Sequence, residues 1–170
     1  MKDKALYQLI SRKLDGAENI LDIGCGEGGL CNYLAKNAKK KITGLDVSGT
    51  GFIKAKSIAG LNKTSELVAC IKGDARSMPF FERGEFDAVT IVYTLHHINQ
   101  PEIALSEIKR TLKLKGHIVA ADYVIGKGVT KTDCHKFSFS KMIELFRRAG
   151  FVLSEKRLLE PDLAFFLARK

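Results

Sequence analysis

Cysteine is scarce in this chain and never paired: Cys25, Cys31, Cys70 and Cys134 show no C-x-x-C spacing. That argues against a structural zinc set, and reduced thiols point to the cytoplasm; no metal ligand is singled out. Long apolar runs are missing too, and none approaches the ~20 residues of a membrane-spanning helix. At the N-terminus Ala5, Leu6, Leu9, Ile10 and Leu14 recur at helical spacing with charges between them, without the continuous apolar core of a signal peptide. Acidic residues are the minority, 19 against 28 basic ones, for a net charge of +9. The excess bears on solubility and attraction to anions, and reads as a basic solvated surface before a dedicated nucleic-acid patch. No internal repeat, low-complexity tract or domain boundary interrupts the chain. With 45% hydrophobic and 28% charged residues, 1–170 reads as one ordinary globular domain.

What is present centres on Leu21-Asp22-Ile23-Gly24-Cys25-Gly26-Glu27-Gly28-Gly29, an apolar run ending in an acid and then a glycine cluster. A run with helical spacing follows directly. The pattern is a strand turning sharply into a helix, with glycine where a ligand approaches the backbone. Gly24, Gly26 and Gly29 also fit the dinucleotide spacing Gly-x-Gly-x-x-Gly, so the glycines alone leave a nicotinamide dinucleotide open.

Around this stretch the periodicity predicts a helix over 4–14, a strand over 19–23, a helix over 29–37 and a strand over 40–45 ending at Asp46. Ser48 stands where an N-cap belongs, for a helix running to Ala59. Further strands are predicted over 66–72, 86–93 and 117–123, with a helix opened by Pro101 and another over 140–149. The stretches 76–84 and 125–137 read as loops. Strands over 151–159 and 163–168, joined only by a Pro161-Asp162 turn, must be antiparallel. Strands alternating with helices imply an α/β fold, a mostly parallel sheet with helices on both faces.

In such sheets a ligand sits at the carboxyl ends of the strands. The polar residues fall there: Asp22 with Gly24 at the end of the first strand, Asp46 at that of the second, Asp74 at that of the third, and Tyr93-Thr94 with His96-His97 at that of the fourth. Three carboxylates suit a ligand carrying a hydroxylated sugar, an amine and a cationic centre. A dinucleotide needs only one such acid and wants donors for its pyrophosphate.

At these residues the chain resembles the class I S-adenosylmethionine-dependent methyltransferases, most closely the small-molecule branch that includes quinone-biosynthesis methyltransferases. The resemblance runs over residues 15–170 and rests on LDIGCGEGG, TGLDVS, KGDARSMPF, FDAVTIVYTLHHI and LKLKGHIVAADY. It implies a Rossmann-like, doubly wound sheet of seven strands with an antiparallel C-terminal strand. It also implies S-adenosylmethionine as cofactor. Asp22 would hold the methionine amino end, with Cys25 beside it, against the backbone of Gly24 and Gly26, where a Cβ would clash. Asp46 would accept from the ribose hydroxyls, Val47 would pack on the adenine face, Asp74 would accept from the exocyclic amine and the Ala75 N–H would donate to a ring nitrogen. Carbonyls at Val92 and Tyr93 would face the cofactor amine.

The implied reaction is methyl transfer to a small-molecule acceptor, with alignment supplied by the protein and a proton acceptor drawn from His96, His97 and Tyr93. Nucleobase N-methyltransferases carry Asn/Asp-Pro-Pro-aromatic after the fourth strand. Here that place reads Val92-Tyr93-Thr94-Leu95, which disfavours a nucleic-acid acceptor. Lys127, Lys131, His135 and Lys136 in a short loop suit an anionic acceptor, and Cys134 beside them raises a thiol-relay alternative. The acceptor side is lean enough that a second subunit, as in a homo-oligomer, could close it. RNA or protein methylation, and a non-catalytic cofactor-binding subunit, remain the competing functions.

Overall fold

The computed structural model describes residues 3–125 and 137–170. Strands β1 (Asn19–Ile23), β2 (Lys41–Asp46), β3 (Val68–Lys72), β4 (Phe86–Val92), β5 (Leu112–Tyr123), β6 (Val152–Glu160) and β7 (Leu163–Arg169) form one sheet. Their order is β3-β2-β1-β4-β5-β7-β6. The first five strands pair in parallel, and β7 pairs antiparallel with both β5 and β6.

The alternation of side chains along each strand divides the core in two. Ile20, Ala88, Val119, Ala121 and Phe165 face one layer, with Leu6 and Ile10 of helix α1 (Asp3–Lys13), Leu34 of α2 (Gly29–Ala38) and Ala59 of α3 (Phe52–Leu61). Leu21, Ile23, Val89, Ile91, Ile118 and Phe166 face the other, with Leu105 and Ile108 of α4 (Pro101–Thr111) and Leu145 and Phe146 of α5 (Phe139–Arg148). Helices therefore cover both faces, and the central strands are buried on both sides, which is why they read as continuous apolar runs. The crossover after β1 lies on one side and that after β4 on the other, so a crevice opens at the carboxyl ends of β1 and β4.

Two local expectations are corrected. Ser48 does not cap α3: that helix starts at Phe52 behind Gly51, which brings no side-chain cap. Ser48 donates its N–H to Asp46 Oδ1 instead, at 2.8 Å. Strand β5 starts at Leu112, not at 117, because Leu112 pairs with Phe86 before a register shift that precedes the His117–Ala88 pair. The alternating lysines of Lys113 and Lys115 hide that start, since this end of the strand stands largely exposed. Helix α5 is capped by Ser138, whose side chain accepts from the Lys141 N–H. Residues 126–136, which carry Lys127, Lys131, Cys134, His135 and Lys136, lie outside the described residues. Among the described residues no helix is long and apolar enough to cross a membrane.

Candidate functional site

The glycine turn after β1 is tied to the neighbouring strand by its backbone: the N–H groups of Gly24 and Cys25 both donate to the Leu45 carbonyl, at 2.7 and 3.1 Å. Gly24 has a φ of 73°, and a Cβ there would collide with the side chain of Thr94 at 2.2 to 2.8 Å. Gly26 has a φ of 50°, yet a Cβ there meets nothing within 4 Å. The clash expected at both glycines is thus with the protein's own Thr94 at Gly24, and at Gly26 the constraint is conformational alone.

Asp22 is buried beneath this turn. Thr90, its register partner on β4, donates to Oδ1 at 2.7 Å, and the Cys31 thiol donates to Oδ2 at 3.2 Å. Burial, opposed by those two hydrogen bonds, pushes the carboxyl up to about 6. Asp46 is half-buried and spans two turns, accepting from the Gly26 N–H at 2.9 Å on Oδ2 and from the Ser48 N–H on Oδ1. Each oxygen keeps further lone-pair capacity. Asp74 is held by Arg76, whose Nε lies 3.1 and 3.0 Å from its two oxygens and whose guanidinium reaches Oδ2 at 2.6 Å. That ion pair keeps the Asp74 carboxyl below its usual range. Arg76 was not singled out from the sequence, and a lone arginine in a loop gives no signal of such pairing.

Two adjoining cavities result. One, of about 410 Å³, is walled by Asp46, Val47, Asp74, Ala75, Arg76 and His97 among others, and Val47 stands 66% exposed beside it. The other, of about 230 Å³, is walled by Tyr7, Asp22, Cys25, Gly29, Leu30 and Val92. Gly24, Tyr93 and Thr94 line both, so these residues form the partition between the two. Tyr93 has a φ of 52°, rare for a bulky residue, and its ring stacks on Tyr123 at 5.0 Å. Burial pushes its phenol up to about 12.

The two histidines separate. His97 lines the larger cavity. His96 is buried, lines neither cavity, and sets Nδ1 at 2.5 Å from Asp122 Oδ1 while its backbone N–H donates to Oδ2 at 3.0 Å. Its Nε2 is buried and has no hydrogen-bond partner among the described residues. Asp122 also went unnoticed in the sequence, although it sits at the end of the fifth strand, where the same strand-end criterion would have found it. Tyr7 on α1 is a third omission.

The joined cavities, with acids from β1, β2 and the turn after β3, are the ligand crevice of a doubly wound sheet. The sequence pattern of the family described as "Methyltransferase domain" matches residues 21–120, and the chain belongs to that family. It is 33% identical over 122 residues to a fatty-acid O-methyltransferase of Mycolicibacterium smegmatis, covering 69% of this chain and 42% of that protein. It is 26% identical to the ubiquinone/menaquinone biosynthesis C-methyltransferase UbiE of Agrobacterium fabrum, over 70% of this chain and 46% of the other. The chain therefore spans less than half the length of these relatives. The crystal structure of the 4+2 cyclase SpnF superposes with a TM-score of 0.90 at 22% identity, covering 98% of this chain and 80% of that one. At that identity the likeness speaks for the Rossmann-like fold.

Proposed function

We propose that the two cavities hold S-adenosylmethionine and that the protein transfers its methyl group to a small-molecule acceptor. The observation that carries this is the partition: a larger chamber bearing Asp46 and Asp74 adjoins a smaller one bearing Asp22, with Gly24 and Tyr93 between them. The larger chamber fits the adenosine. Asp46 accepts from the ribose hydroxyls with its remaining lone pairs, Val47 covers one adenine face, the Ala75 N–H donates to a ring nitrogen, and Asp74 accepts from the exocyclic amine beside its Arg76 partner. The smaller chamber fits the amino-acid end, with Asp22 facing the ammonium, Gly24, Cys25 and Gly26 giving it the turn, and the Val92 and Tyr93 carbonyls close by.

The cofactor supplies an electrophilic methyl on a sulfonium. The protein aligns it, excludes water and, where the acceptor carries a proton, removes that proton. His97 stands on the cavity wall for that task, with Tyr93 beside it. His96 keeps a role behind His97, its ring centroid 3.9 Å away and its orientation fixed by Asp122.

Relatives named for a fatty acid and for quinones support a small-molecule acceptor. An anionic acceptor, closure of the site by a second copy of the chain and a cytoplasmic location complete the proposal; free thiols at Cys25, Cys31 and Cys70 support the last.

Methyl-labelled S-adenosylmethionine incubated with the protein and a metabolite extract, total RNA or total protein tests the reading. Label is expected in the metabolite fraction. Label in RNA or protein overturns the acceptor class. Retained cofactor affinity without transfer to any fraction makes the chain a binding subunit, and affinity for NAD in a titration restores the oxidoreductase reading.

A further inference from the structure

Tyr7 lies on α1, outside the stretch 21–120 that the family pattern covers. It nonetheless reaches the same cavity as Asp22, Gly24 and Cys25. Its ring is held 5.6 Å from that of Tyr33 on α2. The hydroxyl stands so close to Gly29 that a Cβ there would meet Tyr7 Oη at 2.8 Å. The third glycine of the Gly-x-Gly-x-x-Gly spacing is thus clearance for a phenol rather than for a ligand. Among the described residues no group hydrogen-bonds this hydroxyl.

Among the described residues, the wall of the smaller cavity carries one carboxylate, Asp22, and no lysine or arginine. An amino acid is a zwitterion, so a pocket that meets the ammonium with an acid still owes the carboxylate its donors. With no cation among the described wall residues, the donors offered there are neutral, and a tyrosine hydroxyl is one. We infer that Tyr7 Oη donates a hydrogen bond to the carboxylate of the cofactor's amino-acid end, while Asp22 takes the ammonium. This rests on the reading of the smaller cavity given above. Burial, reinforced by the negative charges of Asp3 and Asp22, pushes the Tyr7 phenol up to about 12, so the donor keeps its proton at any ordinary working pH. Tyr7 thereby acts as a positioning residue: fixing the carboxylate fixes the amino-acid chain and hence where the sulfur sits.

The test is calorimetric titration of Tyr7→Phe with S-adenosylhomocysteine and with methylthioadenosine, which shares the adenosyl group and sulfur but lacks the amino-acid end. The substitution keeps the ring against Tyr33 and removes one oxygen. S-adenosylhomocysteine is expected to bind about tenfold more weakly than to the parent protein. Methylthioadenosine is expected to bind equally well to both, and Tyr33→Phe to leave both ligands unaffected. Unchanged affinity for S-adenosylhomocysteine in Tyr7→Phe overturns the inference, because the hydroxyl then contributes nothing. An equal loss for both ligands also overturns it, because the role is then structural. A parent protein that binds neither ligand overturns the cofactor reading itself and this inference with it, an outcome distinct from the first two, which require tight binding to the parent.

Discussion

Asp22 holds its charge at a cost that pH can expose. Its carboxyl is raised from 3.8 to about 6 in the folded protein, chiefly by burial. A carboxyl raised on folding favours the proton. Its contribution to stability is full below 3.8, is lost as pH rises through about 6, and is gone at about pH 8. Asp22→Asn, neutral throughout, should therefore gain about 1–3 kcal/mol over the parent near pH 8 and nothing near pH 4, as urea unfolding at both pH values would show. A difference independent of pH would mean that the carboxyl does not titrate in this window. Binding should run the opposite way. Because an ammonium needs the anion, affinity of the parent for S-adenosylhomocysteine should fall below about pH 6, while that of Asp22→Asn stays flat. Asp46→Ala should weaken the same ligand by about 1–3 kcal/mol in calorimetry with the sheet preserved by circular dichroism. These acids were legible in the sequence because each ends a strand, and strand ends can be located from periodicity. Their present partners were not: Thr90 is 68 positions from Asp22, and Asp122 is 26 from His96. Such pairs are set by sheet register and by the turn after β4, which no local pattern encodes.

At the scale of elements, the turn after β1 and the one after β4 constrain each other. Gly24 admits Thr94, and Thr94 Oγ1 in turn donates to the Val92 carbonyl at 2.8 Å, bracing the backbone where Tyr93 takes its positive φ. Gly24→Ala should cost about 2–4 kcal/mol, from steric overlap together with backbone strain. Adding Thr94→Ala should recover part of the overlap, that with Oγ1 and Cγ2, while Thr94 Cβ at 2.8 Å stays, so a thermal-melt double-mutant cycle should show coupling of about 1 kcal/mol or more. Strict additivity would separate the two turns. Most elements were readable in advance, since β1, β4 and the α4 stretch opened by Pro101 carry strong periodicity with clear stops. The errors fell where polar residues alternate or cluster. Lys113 and Lys115 disguised the exposed start of β5, and Ser48 imitated a cap while serving Asp46.

Across the whole molecule the basic excess of +9 gives the proposed acceptor a further signature. If the acceptor is an anion, turnover should fall as salt rises from low to physiological strength, and indifference to salt would remove that part of the proposal. The order of the sheet has a different consequence. Strand β7 follows β6 in the sequence yet lies between β5 and β6, and it brings Phe165 and Phe166 into the two opposite core layers. A ribosome that has delivered everything through β6 has therefore produced a chain that cannot dock its newest strand. Both core layers stay open along β5 until residues up to Arg169 emerge, so this sheet closes only once its last strand in sequence order is available.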